Sequence, residues 1–292
     1  MILVTGATGT TGGATVAALH AAGAPVRALV RTPSAYDAPD GVEVAGGTFE
    51  DAASLDAALA GVDHAYLVGA SSPQQVELET AFVDAAIRNG VQHLVRLSVI
   101  GADQPGIDAL RFGAHHAALE AVVRESGLGF TFLRPNGFMQ NSLGFAETIA
   151  SQSTFYSPMS PAAKVSYVDA RDIGAVAAAA LTEPGHLGAA YTLTGPEALS
   201  DDDIAARLTS VLGREITHVL VPVEAAREAM LGTGYPEWNV DGLAELFAFY
   251  ETGGAAGVAP DIEQVLAELK KIDKTSICGT ERGAGRMPVS SK

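Results

Sequence analysis

The chain has 292 residues, of which 48% are hydrophobic and 18% charged, so it has ample apolar material for a packed core, and wholesale disorder is excluded. Its formal net charge of -16 disfavours nucleic-acid phosphates and anionic membrane surfaces as partners. The only cysteine is Cys278, which excludes a disulfide within the chain and a cysteine metal cluster.

Strands and helices alternate through the first half of the chain. The first strand begins at Ile2 with no charged segment or long apolar run before it, so we expect no signal peptide, no membrane insertion and a cytoplasmic location. Short apolar runs bounded by turn residues predict strands over 2–5, 26–30, 64–68, 93–98 and 130–134. Helices between them are predicted over 14–22, 55–60, 75–89 and 110–126. This alternation predicts an α/β fold with a doubly wound parallel sheet and helices on both faces.

The second half of the chain is less regular. Beyond Pro135 the pattern predicts a helix over 173–181 and a strand over 191–194. Ser200 is a typical N-cap, because the three aspartates after it would lie where the helix dipole favours negative charge. Apolar residues at helical spacing extend that helix to Leu212, and a strand is predicted over 216–221.

A glycine-rich turn joins the first strand to the first helix. Its sequence is Gly6-Ala7-Thr8-Gly9-Thr10-Thr11-Gly12. Glycines at this place permit a tight turn, a close approach of backbone to phosphates and close packing of helix on strand, while the helix N-terminus offers free N–H groups. The position at the start of an α/β alternation indicates a Rossmann-type dinucleotide site rather than a purely structural turn.

Arg31 follows the second strand, where NAD-binding proteins usually carry an acidic residue for the ribose hydroxyls. A guanidinium there can pair with a 2′-phosphate, so the sequence favours NADP(H) as the cofactor. The alternative is an ordinary surface arginine, as Arg27 on the same strand could be.

These signals predict the domain organisation. Residues 1–150 would form the NAD(P)-binding Rossmann domain, and residues 151–268 a smaller C-terminal α/β lobe on the substrate side, interleaved with the Rossmann core. Residues 269–292 have little periodicity and several glycines and serines, which predicts a disordered tail.

Several segments together resemble the NmrA-like family of atypical short-chain dehydrogenases/reductases, from residue 1 to about 265. The segments that carry the resemblance are Val4-Thr5-Gly6-Ala7-Thr8-Gly9, Gly61-Val62-Asp63, Ser126-Gly127-Leu128, Leu133-Arg134-Pro135 and Val168-Asp169-Ala170-Arg171-Asp172-Ile173. Within the family, the chain is most similar to NAD(P)H:quinone oxidoreductases and triphenylmethane-dye reductases. The resemblance implies NADPH binding and reduction of small conjugated acceptors.

The resemblance also implies which positions contact the cofactor. The implied residues, from pyrophosphate to nicotinamide, are Gly6, Thr8, Gly9, Thr10, Thr11 and Gly12, then Arg31, Thr48 and Phe49, then Gly69, Ala70 and Ser71, and finally Pro135, Asn136, Gly137 and Phe138. One position departs from the family pattern, because members often have aspartate where this chain has Thr48. That departure weakens the assignment of the adenine site.

Two residues are candidates for catalysis. Most short-chain dehydrogenases use a tyrosine with a lysine four residues later, and none of the seven tyrosines here has that partner. His116 occupies the place of the lysine, and with a near-neutral pKa it could donate a proton or hydrogen-bond the cofactor; the alternative is a polar residue on a half-exposed helix. Ser98 ends a strand where a serine polarises the substrate carbonyl in such enzymes, although serine also ends strands for local reasons.

The other candidate residues give weaker evidence of a functional site. The remaining histidines show no pair at metal-ligand spacing, so no metal site is predicted. Several large apolar residues could cover a flat aromatic acceptor or belong to the core, namely Phe138, Met139, Phe247, Phe249 and Tyr250.

Two functions from different classes follow. The first is an NADPH-dependent oxidoreductase acting on a quinone-like or other aromatic small molecule, and the second is an NADP(H)-binding redox sensor without turnover. An open apolar pocket above the nicotinamide would favour the enzyme. A sugar-nucleotide epimerase ranks last because its chemistry needs the missing tyrosine–lysine pair. The chain could form a homodimer, and no nucleic-acid partner is expected.

Overall fold

The computed structural model describes residues 1–267 of the chain, and the tail predicted over 269–292 lies outside them. The helices are α1 Thr10–Ala21, α2 Ala52–Leu59, α3 Gln75–Arg88, α4 Arg111–Glu125, α5 Ala146–Gln152, α6 Ala170–Thr182, α7 Asp201–Leu212, α8 Val223–Gly232 and α9 Glu237–Glu251, and residues 261–267 are also helical. The strands are β1 Ile2–Val4, β2 Val26–Val30, β3 Glu43–Gly46, β4 His64–Leu67, β5 His93–Leu97, β6 Gly129–Pro135, β7 Thr154–Ser157, β8 Ala189–Leu193 and β9 Thr217–Leu220.

Seven of these strands form one parallel sheet in the order β3-β2-β1-β4-β5-β6-β8. The order reverses between β1 and β4, and a crevice for ligands forms at such a point along the carboxyl edge. The predicted α/β class and the Rossmann-type doubly wound sheet are confirmed. Strand β8 and helix α6 both lie beyond residue 150. Strand β8 is an edge strand of this sheet, and α6 packs on one of its faces.

Helices cover both faces of the sheet. On one face, α1 and α6 pack through Leu19 and Val176 onto the strands, and Gly174 of α6 leaves no room for a Cβ beside the backbone of Ala14. On the other face, α2, α3 and α4 contribute a second apolar cluster that includes Leu55 and Phe82. Burial of continuous apolar strands on both sides is what a parallel sheet requires.

A smaller two-stranded sheet lies outside the main one. The strand predicted over 216–221 is β9, and it pairs in parallel with β7, which the sequence pattern did not predict. Ser200 caps α7 as expected, because its Oγ accepts a hydrogen bond from Asp203 N at 3.2 Å while the Asp203 carboxylate accepts one from Ser200 N at 3.0 Å. Within residues 1–267, no helix is both long and apolar enough to cross a bilayer.

The amino edge of the sheet carries a buried histidine that makes stability depend on pH. His93 Nε2 lies 2.9 Å from Thr131 Oγ1, and burial, with His64 and His186 nearby, lowers the His93 pKa from 6.5 to about 4. Below the unfolded pKa the unfolded chain takes up the proton first, so this contribution falls as the pH drops from 6.5 towards 4, by up to about 3 kcal/mol. We expect His93→Gln to reduce the loss.

Urea unfolding of both proteins at about pH 7 and about pH 4.5 measures this difference. The carboxylates contribute equally to both proteins and cancel in the comparison. Equal losses in the two proteins would contradict the assignment to His93.

Candidate functional site

A cavity of about 680 Å³ opens along the carboxyl edge of the main sheet. It is lined by the loops that follow β1 to β6, by α3, by the start of α4 and by α9. Every predicted site residue except Gly12 lines it, including His116 and Ser98. The fold therefore brings together residues that are spread over 130 positions of the chain.

The glycine-rich turn has the geometry of a phosphate cradle. Gly6 has a φ of +59°, and a Cβ on it would lie 2.7 Å from Val68 Cγ1. Gly12 does not line the cavity because it faces inward, where a Cβ would lie 2.7 Å from the carbonyl oxygen of Thr5 and closer still to that of Gly6. These glycines are required by backbone geometry and by the contact of α1 with the turn.

The N-terminus of α1 is left uncapped by side chains. The N-cap is Gly9, and the first helical hydrogen bond runs from Gly13 N to Gly9 O at 2.9 Å. The N–H groups of Thr10, Thr11 and Gly12 therefore have no intrahelical acceptor. Free N–H groups at the positive end of a helix dipole suit an anionic diphosphate.

Arg31 and Arg27 differ in their availability. Arg27 is held by Glu43, 2.9 Å from its Nε, and by two backbone carbonyls of the α2 segment. Arg31 is exposed on the cavity rim and has no ion-pair or hydrogen-bond partner among residues 1–267. Of these two arginines, Arg31 is therefore the one that can meet a phosphate.

The next two loops shape the outer part of the cavity. Thr48 N donates to Ser54 Oγ at 3.2 Å, and the Phe49 ring packs on Phe82 with centroids 5.5 Å apart. Both Thr48 and Phe49 line the cavity, as do Gly69, Ala70 and Ser71 after β4. A Cβ on Gly69 would lie 2.8 Å from Glu79 Oε1, so a side chain at this position would meet α3.

The segment after β6 is held in place by hydrogen bonds of Asn136. Asn136 is buried, its Nδ2 donates to Ser166 Oγ and to Ala255 O at 2.8 Å, and its Oδ1 accepts from Gly137 N at 2.9 Å. A Cβ on Gly137 would lie 3.0 Å from the Tyr167 ring. Asn136 therefore fixes the backbone of this segment, and a ligand here meets a rigid wall.

His116 lines the cavity from α4. Arg96 Nη2 lies 3.2 Å from its Nδ1. Burial, the Arg96 guanidinium and His115 hold the pKa of His116 well below its usual value. The near-neutral pKa expected from the sequence is therefore wrong, and at neutral pH this imidazole is uncharged.

Ser98 is tied into a buried ionic network. Its Oγ donates to Glu120 Oε1 at 2.6 Å, and Arg134 binds the same carboxylate at 2.7 and 2.9 Å. Burial raises the pKa of Glu120, but the bonds from Arg134 and Ser98 outweigh it and keep the pKa low. Because the only hydroxyl proton of Ser98 goes to a carboxylate, this arrangement argues against the predicted role of polarising a carbonyl.

Helix α9 forms the roof of the cavity. Its lining residues are Gly242, Leu246, Phe249 and Tyr250. Glu245 on α9 accepts hydrogen bonds from Arg111 N and Arg111 Nη2 at 2.8 Å, which anchors the roof on the first turn of α4. Gly242 lies against the Phe112 ring, where a Cβ would be 2.8 Å from Cε1. Of the aromatic residues considered from the sequence, Phe138, Phe249 and Tyr250 line the cavity.

A second cavity of about 680 Å³ adjoins the first. The two share the side chains of Ile100, Ile107, Leu110 and Phe249. In the part of the chain that the structure describes, no group of three or more His, Cys, Asp or Glu could hold a metal ion.

The NmrA-like family model matches residues 1–277. The chain belongs to the NmrA-like family. An NAD(P)H azoreductase of Xenophilus azovorans is 40% identical over 269 residues, which cover 91% of this chain and 92% of that protein. The predicted family is thus confirmed.

Two solved structures resemble this NmrA-like protein closely. An NADPH-dependent quinone oxidoreductase of Escherichia coli complexed with NADPH superposes with a TM-score of 0.79 at 26% identity, covering 91% of this chain and 95% of that one. A triphenylmethane reductase of Citrobacter sp. complexed with NADP(H) gives a TM-score of 0.78 at 26% identity, covering 90% and 94%.

Part of the site of this NmrA-like protein was not predicted from the sequence. The lining residues that were not predicted include Gln75, Glu79, Ile107, Leu110, Phe112, Gly242 and Leu246. They come from α3, from the segment that leads into α4 and its first turn, and from α9, and no local motif marks them. A buried charge in an apolar strand, Arg96 in His93–Leu97, was the one available signal, because such a charge needs a partner from another element.

Proposed function

We propose that this protein is an NADPH-dependent reductase that passes a hydride to a small conjugated acceptor such as a quinone or a dye. The observation that carries the proposal is the single cavity that joins a dinucleotide cradle to an apolar space roofed by α9. The relatives support the same class, since they are an azoreductase, a quinone oxidoreductase and a triphenylmethane reductase. The predicted NAD(P)H-dependent reductase is in agreement with them.

The cradle fits NADPH from end to end. The free N–H groups of Thr10 and Thr11 would bind the diphosphate, and Arg31 would bind the 2′-phosphate. The rigid segment from Pro135 to Phe138 supports the nicotinamide at the inner end. When bound, the reduced nicotinamide supplies the hydride.

The inner end of the cavity suits a flat apolar acceptor. Side chains of Ile107, Leu110, Leu246 and Phe249 line it, and they exclude water from the space beside the nicotinamide. The protein's contribution is to stack and orient the acceptor, so few catalytic side chains are needed. This explains why the missing tyrosine–lysine pair does not prevent turnover.

His116 acts in this scheme as a hydrogen-bond donor. Because the ring is neutral and its Nδ1 faces Arg96, the Nε2–H is available to the oxygen or nitrogen of the acceptor on which negative charge develops. The proton that completes the reduction comes from solvent after transfer.

The test is a titration of the purified protein with NADPH and NADH, followed by absorbance at the reduced-nicotinamide band while quinones, azo dyes and triphenylmethane dyes are added. We expect NADPH binding and acceptor-dependent oxidation. Tight binding without oxidation by any acceptor would favour the redox-sensor alternative. No binding of either nucleotide would overturn the proposal.

His116→Ala is expected to lower kcat by about 100-fold, because it removes one donor to the developing charge. The dissociation constant for NADPH should stay within about twofold, since the cradle is formed elsewhere. His20→Ala, at an exposed position near the end of α1, is the matched control and should leave kcat unchanged. Equal kcat values for His116→Ala and the wild type would show that His116 has no role in the reaction.

A cytoplasmic location, assembly as a homodimer and the lack of a nucleic-acid partner stay predictions. The acidic composition supports the last of them. Light scattering of the purified chain tests the second.

A further inference from the structure

A fully buried ion pair lies beneath His116, and neither member has a role in the scheme above. Arg96 on β5 is completely buried, and its Nε donates to Glu79 Oε2 on α3 at 3.0 Å. Gln75, one turn earlier on α3, donates to Glu79 Oε1 at 2.8 Å. Taking two charges out of water costs about as much as their attraction returns, so apolar side chains would serve the fold equally well. Stability alone does not explain the pair.

The contact between Arg96 and His116 determines where the imidazole proton lies. Arg96 Nη2 is 3.2 Å from His116 Nδ1. A guanidinium has donors and no acceptor, so Nδ1 must accept this hydrogen bond and carries no proton. The neutral ring then has its proton on Nε2. Nε2 has no hydrogen-bond partner within residues 1–267, and the ring lines the cavity.

We propose that Arg96, held by Glu79 and Gln75, is a positioning residue that locks His116 in the Nε2–H tautomer, so that the cavity always meets a hydrogen-bond donor. Without this lock the ring could rotate or take the other tautomer and present a bare nitrogen to the acceptor. The effect of this tautomer on catalysis rests on the proposed reductase function. The assignment of the tautomer does not depend on that function.

The surroundings of His116 keep its ring neutral on every side. Arg96 on β5 repels a second proton, and His115 on α4 does the same. Four carboxylates of α3, α4 and α9 are already bound by arginines, namely Glu79, Glu120, Asp241 and Glu245. The groups that shift the pKa of His116 therefore all disfavour an imidazolium at this place.

The direct test is nitrogen NMR of the protein labelled with ¹⁵N at histidine, compared with His116→Ala to assign the resonances. We expect the pattern of an Nε2–H tautomer for His116 in the wild type, unchanged across the neutral pH range. A protonated Nδ1, or a ring that averages between tautomers, would overturn the proposal. This measurement needs no acceptor and no turnover, so it tests the tautomer of His116 even if the reductase assignment fails.

The second test is the double variant Arg96→Met/Glu79→Gln, which replaces both charges and keeps an acceptor for Gln75. Because no unpaired buried charge is left, we expect a midpoint of thermal unfolding close to that of the wild type. We expect kcat to fall by at least about tenfold, with the tautomer of His116 no longer fixed. If the ion pair is purely structural, the double variant should have a changed unfolding midpoint and unchanged imidazole resonances of His116.

A mutant cycle separates action through His116 from action elsewhere. If Arg96 works through the imidazole, adding Arg96→Met/Glu79→Gln to His116→Ala should cause no further loss of kcat. The same loss in both backgrounds would overturn the positioning role. Arg96→Lys retains a buried cation and a hydrogen-bond donor, so we expect it to keep part of the wild-type kcat. This variant tests the proposal if the double variant folds poorly.

Discussion

Gly12→Ala is expected to destabilise the protein and to abolish nucleotide binding together. The added Cβ would lie 2.7 Å from Thr5 O and still closer to Gly6 O, and both atoms belong to the backbone of the turn. Neither can move without displacing β1 or α1. Overpacking against backbone should lower the free energy of unfolding by about 3 kcal/mol or more and the midpoint temperature by about 6–12 °C. Thermal unfolding with and without NADPH measures both effects.

Two glycine-to-alanine variants serve as controls. At Gly13, the next residue of α1, a Cβ would lie 3.2 Å from Ala7 O, so a smaller loss is expected. At Gly232 in α8 a Cβ meets nothing within 4 Å, and the variant should match the wild type or gain slightly from its higher helix propensity. A normal midpoint and normal NADPH affinity for Gly12→Ala would refute the close packing of α1 on the turn.

Arg31→Ala is expected to change the choice of cofactor. The exposed guanidinium follows β2 and is available to a 2′-phosphate, and a charge-assisted hydrogen bond contributes about 1.5–3 kcal/mol. The dissociation constant for NADPH should therefore rise by about 10- to 100-fold. NADH has no 2′-phosphate, so its affinity should stay the same. Fluorescence titration with each nucleotide measures the two constants.

Added salt gives an independent reading of the same interaction. It should weaken NADPH binding to the wild type more than to Arg31→Ala, because an exposed ion pair is screened. Arg88→Ala removes a surface arginine that pairs with Asp56 away from the cavity, and should leave both affinities unchanged. An equal loss of NADH and NADPH affinity in Arg31→Ala would mean that Arg31 supports the loop rather than the phosphate.

The elements with local signals could be predicted from the sequence. Strands β1, β2, β4, β5 and β6 are short apolar runs with turn residues on both sides, and the helices between them end near glycines. Strand β3 was not predicted because Glu43–Gly46 is an exposed edge strand without alternation. Helix α1 begins at Thr10 rather than at residue 14, because tertiary packing keeps two low-propensity glycines helical.

The site could be predicted only as far as its local motifs extend. The glycine turn and Arg31 are adjacent in sequence to a recognisable strand, so their places in the cavity follow from the topology. The partner of His116 is Arg96 on β5, and the pairing of Arg96 with Glu79 depends on how α3 packs on the sheet. Likewise, the pKa of a histidine follows from its surroundings, which the sequence does not contain.

The roof and the cradle of the cavity are encoded in separate stretches of the chain. The cradle comes from residues before position 140, whereas the roof is a single helix, α9, more than a hundred positions after the glycine turn. We therefore expect substitutions at Leu246 or Phe249 to alter the acceptor range without changing the residues of the proposed phosphate site. Descendants of one ancestral reductase can diverge in what they reduce while inheriting the same electron donor.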